Sequence, residues 1–218
     1  TFLFTQTTSV SLTIAAGDRV AARAGVKVTL AFTTVAALSA GGKITLTYPS
    51  GFFATTATPT FAAGDASVTT MTGTSAQPTA TQIVITTATA GIGAATAFTI
   101  TLSGVTMGAA TAGSATGITV QTDADTVASV GAASGGIFTQ PASVSLTIAG
   151  SDRVAGKASV TVTLAFTTSA ALSAGGRITV SYPSGFFATT ATPSANAAGS
   201  TSVSGMTATS AAPGATSI

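Results

Sequence analysis

Residues 4–33 read FTQTTSVSLTIAAGDRVAARAGVKVTLAFT, and apolar and hydroxyl-bearing side chains alternate in both halves of this stretch. Val10, Leu12 and Ile14 fall on one side, with Ser or Thr between them, which is the period-two pattern of a half-buried strand. Residues 26–33 repeat that pattern. Similar short strands are predicted at Ile44, Leu46 and Tyr48, at Ile83 and Ile85, at Phe98, Ile100 and Leu102, and at Ile118 and Val120, with a weaker pattern at residues 68–71.

The quoted stretch returns at residues 138–167 as FTQPASVSLTIAGSDRVAGKASVTVTLAFT, an offset of 134. Residues 4–60 match residues 138–194 at 44 of 57 positions without a gap. A period of this length has the size of a whole domain. We therefore predict a complete repeat over residues 4–137, with a Gly-containing junction around residues 131–137. Residues 1–3 would end a preceding repeat, and residues 138–218 would form an incomplete second copy.

Strands rich in Thr, Val and Ile, about seven per repeat and separated by Gly, Pro and Asp turn signals, predict an all-β fold. The expected architecture is a tandem array of antiparallel β-sandwich repeats of about 134 residues. Because the second copy stops at the counterpart of Ile83, we expect the natural chain to continue or a neighbouring molecule to complete the sheets. The strand within residues 4–15 is a candidate donor strand for a preceding domain.

The composition excludes several classes of function. Ala (46), Thr (46), Gly (24) and Ser (24) supply 140 of the 218 residues, charged residues are 6 %, and His, Cys, Trp and Glu are absent. The usual catalytic and metal-ligand side chains are therefore missing, so we expect no enzyme, no cofactor and no metal. A net charge of +2 is too small for a nucleic-acid interface. No apolar run approaches the roughly 18 residues of a membrane helix, so no membrane span is expected.

Outward positions of the predicted strands carry hydroxyl groups instead of Lys and Glu. Thr is itself a good strand former, which is one explanation; the other is O-linked sugar that supplies the solubility and edge protection that charges usually give. Pro-containing Ser/Thr segments are typical of O-glycosylated stalks, or else are polar loops in which Pro favours a turn. The candidate attachment residues in these segments are Thr55, Thr56, Thr58, Thr60, Thr79, Thr189, Thr190, Thr192 and Ser194.

Acidic residues occur in two short motifs. Asp123 and Asp125 could offer carboxylates to Ca²⁺, but the EF-hand spacing is missing, and the alternative is a turn at a strand end. Asp18 and Arg19 recur 134 residues later. They predict a local surface ion pair, which contributes little to stability, with an inter-repeat contact as the alternative.

Aromatic residues cluster after the third predicted strand. Phe52 and Phe53 follow Tyr48 closely, which predicts a cap on the core or on the junction between domains; a carbohydrate-stacking platform is the alternative. The candidate inter-repeat contacts are Phe4, Phe52, Phe53, Phe138, Phe186 and Phe187.

The phrases SVSLTI (9–14), VTLAFTT (28–34), GGKITLTYPSGFF (41–53) and QTDADTVAS (121–129), taken with the repeat, resemble the tandem β-sandwich repeats of large secreted surface proteins of algae and other aquatic protists. The resemblance implies immunoglobulin-like sandwiches in a linear fibril with glycans on Thr, Ser or hydroxyproline. Pro59, Pro78 and Pro193 thereby join the candidate attachment sites. The single Asn, Asn196, is not an N-glycan acceptor, which departs from fibrils decorated through Asn.

Together these patterns predict a structural protein that forms an extracellular or cell-surface glycosylated filament from tandem β-sandwich repeats. Its partners would be identical repeats, along the chain or in adjacent copies, and covalent O-linked glycans. The alternative is the stalk of a cell-surface adhesin or surface-layer protein. A filament would show a regular axial repeat, whereas a stalk would end in an unrelated domain.

Overall fold

A computed structural model describes residues 4–64, 71–196 and 208–218. These residues form antiparallel β-sheets and short turns, without any α-helix among them, so the predicted all-β class is confirmed. The chain divides into two compact units, Thr1–Gln140 and Pro141–Ile218. The division lies three residues after the end of the predicted repeat, at 140 instead of 137. The predicted remnant at residues 1–3 and, apart from Met71, the weaker strand predicted at residues 68–71 lie outside the described residues.

The first unit contains two four-stranded antiparallel sheets. One has the order β1-β2-β7-β4 and the other the order β5-β6-β3-β8. The bounds in chain order are β1 Thr8–Ile14, β2 Val26–Thr33, β3 Lys43–Thr47, β4 Thr60–Ala63, β5 Gly73–Ser75, β6 Gln82–Thr87, β7 Ala97–Val105 and β8 Thr119–Thr122. The short strands β4 and β5 were not predicted, because neither carries the alternating apolar pattern.

Both sheets contribute their apolar side chains to one core. The predicted inward residues of the predicted strands are buried, except that Val10 of β1 is only partly buried. Leu30 of β2, Ile44 of β3, Ile85 of β6 and Ile100 of β7, for example, have no exposed surface. Burial of each such side chain contributes roughly 1.5–3 kcal/mol. The alternation along the chain therefore fixes which face of each strand is inside.

The first strand is bent where it enters the unit. Gln6 forms a parallel bridge with Val127, after which β1 pairs with β2 in the first sheet. Ser9 sits at the bend with a positive φ of 53°, and the register shifts between Thr8 and Ser11. In this structure β1 thus pairs inside its own unit, and donation of this strand to a preceding domain stays a prediction.

The predicted junction at residues 131–137 is instead part of the first unit. Ala132 bridges Ile118, and Ile137 bridges Thr111 and is 2 % exposed in the core. The segment is held because its apolar side chains and backbone groups complete the sheet edge beside β8. The link to the next strand is consequently only the few residues that follow Phe138.

The second unit reproduces part of this arrangement. Strand β9 (Ala142–Ile148) pairs with β10 (Val162–Thr167), and Leu146 lies opposite Leu164 as Leu12 lies opposite Leu30. In each unit a tyrosine hydroxyl contacts two backbone carbonyl oxygens: those of Thr79 and Gln82 for Tyr48, and their sequence counterparts Gly214 and Ser217 for Tyr182. At these positions, matching sequence forms matching local structure.

Two turn positions between the first strands of each copy have a left-handed backbone. Ala22 has φ 59° and Gly25 has φ 73°. In the second copy the residue types are exchanged, with Gly156 at φ 74° and Ser159 at φ 57°. A side chain with Cβ is strained in this region, so each copy has a strained residue at a different point of the same turn.

Candidate functional site

Arg19 holds the closing segment of the first unit against the turn after β1. Its Nη1 donates hydrogen bonds to the carbonyl oxygens of Ser134, at 2.8 Å, and Gly136, at 3.4 Å. The backbone joins in, because Phe138 N donates to Arg19 O and Ala21 N donates to Phe138 O, each at 2.9 Å. We call this set of contacts the arginine clamp. It connects residues about 115 positions apart, 19 and 134, so it ties the end of the unit back to its beginning.

Glycine is required under the clamp. Gly135 has φ +68°, and a Cβ there would lie 2.4 Å from Nη1 of Arg19. Only a residue without a side chain permits both this backbone conformation and this approach. In the folded unit the clamp therefore holds the Ser-Gly-Gly segment at residues 134–136 through its backbone carbonyl oxygens.

The predicted ion pair between Asp18 and its neighbour Arg19 is wrong. Asp18 Oδ1 pairs instead with Arg23 Nε at 2.9 Å, across the 3₁₀ turn at Ala16–Asp18. This leaves Arg19 free to reach the closing segment. In the second unit Asp152 likewise pairs with Lys157, at 2.7 Å, and Arg153 donates through Nε to the carbonyl of Ile148.

Two of the predicted glycan loops of the first unit lie side by side. The side-chain amide of Gln77 donates to the carbonyl oxygen of Thr55, which joins the 76–79 loop to the 55–60 loop. The threonines predicted as attachment sites in these loops are exposed: Thr55, Thr56, Thr58, Thr60 and Thr79. We call them the threonine cluster. In the second unit the corresponding Thr189, Thr190, Thr192, Pro193 and Ser194 are also exposed.

The prolines of the first unit do not share this exposure. Pro59 and Pro78 are both buried in the folded unit. Nearby, the Tyr48 hydroxyl lies 2.9 Å from the carbonyl oxygens of Thr79 and Gln82, and burial raises the pKa of this phenol. Of the candidate attachment residues in the first unit, the five threonines are therefore exposed and the two prolines are not.

The candidate aromatic residues separate into two groups. Phe52 and Phe53 are 0 % and 1 % exposed, and their rings pack edge to face with centroids 4.9 Å apart. They cap the core, as one prediction had it, so neither an inter-repeat contact nor a sugar platform is available to them. Phe4 and Phe138 are exposed. In the second unit Phe186 is exposed, and Phe187 is partly buried.

The two carboxylates near β8 point to different partners. Asp125 is fully buried, and its two oxygens accept the backbone N–H groups of Val35 and Ala36, each at 3.0 Å. Asp123 accepts from the backbone N–H of Lys43 at 2.9 Å. They therefore hold two separate segments, the bend at Val35 and Ala36 and the start of β3, as the strand-end alternative predicted. Within residues 4–64, 71–196 and 208–218, no three His, Cys, Asp or Glu side chains group as metal ligands would.

Hydroxyl groups line the outer faces of both sheets of the first unit. Thr13, Thr29 and Thr101 lie opposite one another on three adjacent strands. Lys27 and Lys43 are the two charged residues that strands β1 to β8 contain. Each outer face is thus a nearly uncharged array of hydroxyl and methyl groups. No helix among the described residues has the length and hydropathy to cross a membrane.

Compared with models of known protein families and with curated proteins, the chain matches none. The functional argument therefore depends on the geometry described above.

Proposed function

We propose that this chain is a structural protein, built from tandem immunoglobulin-like β-sandwich repeats that form an extracellular glycosylated filament. Two antiparallel sheets that share one core support the sandwich part of the proposal. The observation that carries the filament part is the arginine clamp. Because Phe138 is bonded to the first unit and β9 begins at Ala142, only three residues connect two folded units.

A link of three residues suits a stiff array. Flexible linkers separate domains by a distance that grows with the square root of their length, so a very short link limits the freedom of the units it joins. Residues 4–60 and 138–194 match at 44 of 57 positions, so further copies of this repeat would form junctions from similar parts. A long chain of such units would be a regular filament.

The outer faces support the glycosylated part of the proposal. Soluble domains usually keep about a quarter of their surface charged, which prevents edge pairing and aggregation. Here the strands of the first unit contain two charges, while the threonine cluster offers exposed hydroxyls on adjoining loops. Sugar on these hydroxyls would supply the missing hydration, and O-glycosylation of this kind places the protein outside the cell or on its surface.

Mass spectrometry of the native protein tests the glycosylation. Site-resolved fragmentation should find hexose or pentose increments on Thr55, Thr56, Thr58 or Thr79. Thr7 and Thr34, which are at most 1 % exposed, are internal controls and should carry none. Native protein without any increment would refute the glycosylated part of the proposal.

Cryo-electron microscopy of the native assembly tests the filament. We expect a regular axial repeat along the fibre, with one period for each copy of the sequence repeat. Fibres that end in an unrelated terminal domain would favour the stalk of an adhesin. An unmodified bacterial product that proves freely soluble, compact and monomeric would contradict the whole proposal.

A further inference from the structure

The beginning of the first unit is bound to a segment from near its end. Gln6 forms a parallel bridge with Val127, and Val127 N donates a hydrogen bond to Thr5 O at 3.1 Å. Beside this bridge, the hydroxyl of Thr7 is 1 % exposed and donates to Val120 O at 2.9 Å. We call these contacts the Gln6 bridge.

The arginine clamp binds the end of the unit in the same sense. Val20 forms a parallel bridge with Phe138, and the backbone hydrogen bonds of this bridge run from Phe138 N to Arg19 O and from Ala21 N to Phe138 O. The Arg19 side chain adds its hydrogen bond to Ser134 O at 2.8 Å. Each end of the unit is thus held by residues from the opposite end of its sequence.

The parallel direction of both bridges determines how they respond to tension. Residues 4–20 and residues 127–138 run the same way at each bridge. A pull that draws residue 4 and residue 138 apart makes these two segments slide past each other in opposite directions. The hydrogen bonds of a bridge cross between the sliding segments, so they are loaded together and break together.

A pull on neighbouring ends of two antiparallel strands acts differently. Strand β3 pairs with β6, and Lys43 lies opposite Thr86 at one end of this ladder. Ala40 precedes that end of β3 and Ala88 follows that end of β6, and both residues are exposed. A pull that separates Ala40 from Ala88 opens the ladder from this end, one hydrogen-bonded pair after another.

We propose that the first unit is a load-bearing module, in which the Gln6 bridge and the arginine clamp carry tension that passes along the chain. The load leaves the unit through residues 139–141, which lead to β9. The strands between the two fastenings are protected until one of the fastenings breaks. The inference rests on the proposed function only for the source of the tension, because a filament is pulled along its length.

Single-molecule force spectroscopy of the full chain of residues 1–218 tests this inference. The chain contains no Cys, so Phe4→Cys with Thr139→Cys gives two specific handles at exposed positions. This pair loads the first unit through both fastenings, and Ala40→Cys with Ala88→Cys is the comparison. At equal pulling speed we expect the first pair to require about twice the force of the second, because two backbone hydrogen bonds of a bridge break together.

Matched variants separate the fastenings from overall stability. Arg19→Ala removes the charged hydrogen bond of the clamp. Thr7→Val keeps the branched shape of the side chain, and Val120 O keeps its hydrogen bond from Ser129 N. Either end can yield first, so each single variant should have a smaller effect than the two together. The double variant should unfold about tenfold faster under the pull between residues 4 and 139.

Tyr48→Phe is the control for these variants. It removes buried hydrogen bonds to Thr79 O and Gln82 O, which belong to neither fastening. It should lower the free energy of unfolding in urea and leave the unfolding rate under this pull unchanged. Forced unfolding follows the barrier that the load meets, which the equilibrium stability does not report.

Two results would overturn the inference: equal rupture forces for the two pairs of handles, or a double variant that unfolds under load no faster than Tyr48→Phe. The comparison of handle pairs leaves both fastenings intact, so it decides the question even if the double variant does not fold. Glycan analysis and imaging of native fibres do not depend on these forces, so failure here is distinguishable from failure of the proposed function.

Discussion

Replacement of Asp125 by Ala should destabilise the first unit strongly, and more than replacement of Asp123, the other carboxylate near β8, by Ala. The carboxylate is fully buried and accepts two backbone N–H groups, from Val35 and Ala36, at 3.0 Å. Hydrogen bonds to a charged partner contribute about 1.5–3 kcal/mol each. Val35 is 43 % exposed, so water can partly satisfy the amides that are left. We therefore expect a loss near the lower end of the sum, about 3 kcal/mol.

Two variants calibrate this value. Asp123→Ala removes one hydrogen bond at an exposed site, to Lys43 N, and should cost about 1 kcal/mol or less. Asp125→Asn retains one acceptor but turns an NH₂ group toward the second amide, so its loss should lie between those of the two alanine variants. Urea unfolding measures the free energies, through NMR signals of core residues such as Ile44. Amide exchange at Val35 and Ala36 reports the local effect.

The reasoning would be refuted if Asp125→Ala and Asp123→Ala had equal effects on the free energy of unfolding. It would also be refuted if exchange at Val35 and Ala36 were unchanged in Asp125→Ala, because the carboxylate would then not hold that turn.

Three further predictions follow from the first unit. Tyr48→Phe should cost about 1 kcal/mol of unfolding free energy, because it deletes a buried hydroxyl that donates to backbone carbonyls. Since burial raises the pKa of Tyr48, the stability of the wild-type protein should be constant below pH ~10 and fall above it. Thermal unfolding measured against pH should show a smaller fall in the variant. Ala22→Gly should raise the free energy of unfolding by about 1 kcal/mol, and Gly25→Ser should lower it by a similar amount. Both positions have positive φ, where a residue with Cβ is strained and glycine is not. Changes of the same sign and size in urea unfolding would contradict the strain argument. Arg19→Ala should speed amide exchange at residues 134–138 about tenfold, because it removes the side-chain hydrogen bonds of the clamp. Unchanged exchange would show that the backbone contacts alone hold the segment.

Local pattern was sufficient to predict the all-β class and the inward face of the strands. Alternation with period two is a property of neighbouring residues, and burial rewards it wherever the strand finally pairs. Residues such as Leu30, Ile44 and Ile100 could therefore be assigned to the core correctly. The repeat was equally visible, because it is a comparison of the sequence with itself.

Strands β4 and β5 escaped prediction because they lack this pattern. They are short and lie at sheet edges, where β7 and β6 supply their hydrogen-bond partners. Their position depends on strands elsewhere in the chain, and residues 60–63 and 73–75 give little indication of it. The Ser-Gly-Gly segment was misassigned for a related reason: its composition suggests a junction between repeats, but Arg19 and the bridge from Ile137 to Thr111 hold it in the first unit.

The amino-acid sequence by itself determined the period of the chain, the strand class and the side of each strand that avoids water, since these depend on spacing along a few residues. Only the tertiary structure decided what the polar groups do. Arg19 contacts a segment 115 residues away and Asp125 holds a turn 90 residues earlier. Such contacts form when the folded sheets bring distant loops together, and a single hydrogen bond between distant residues leaves no periodic trace in the chain.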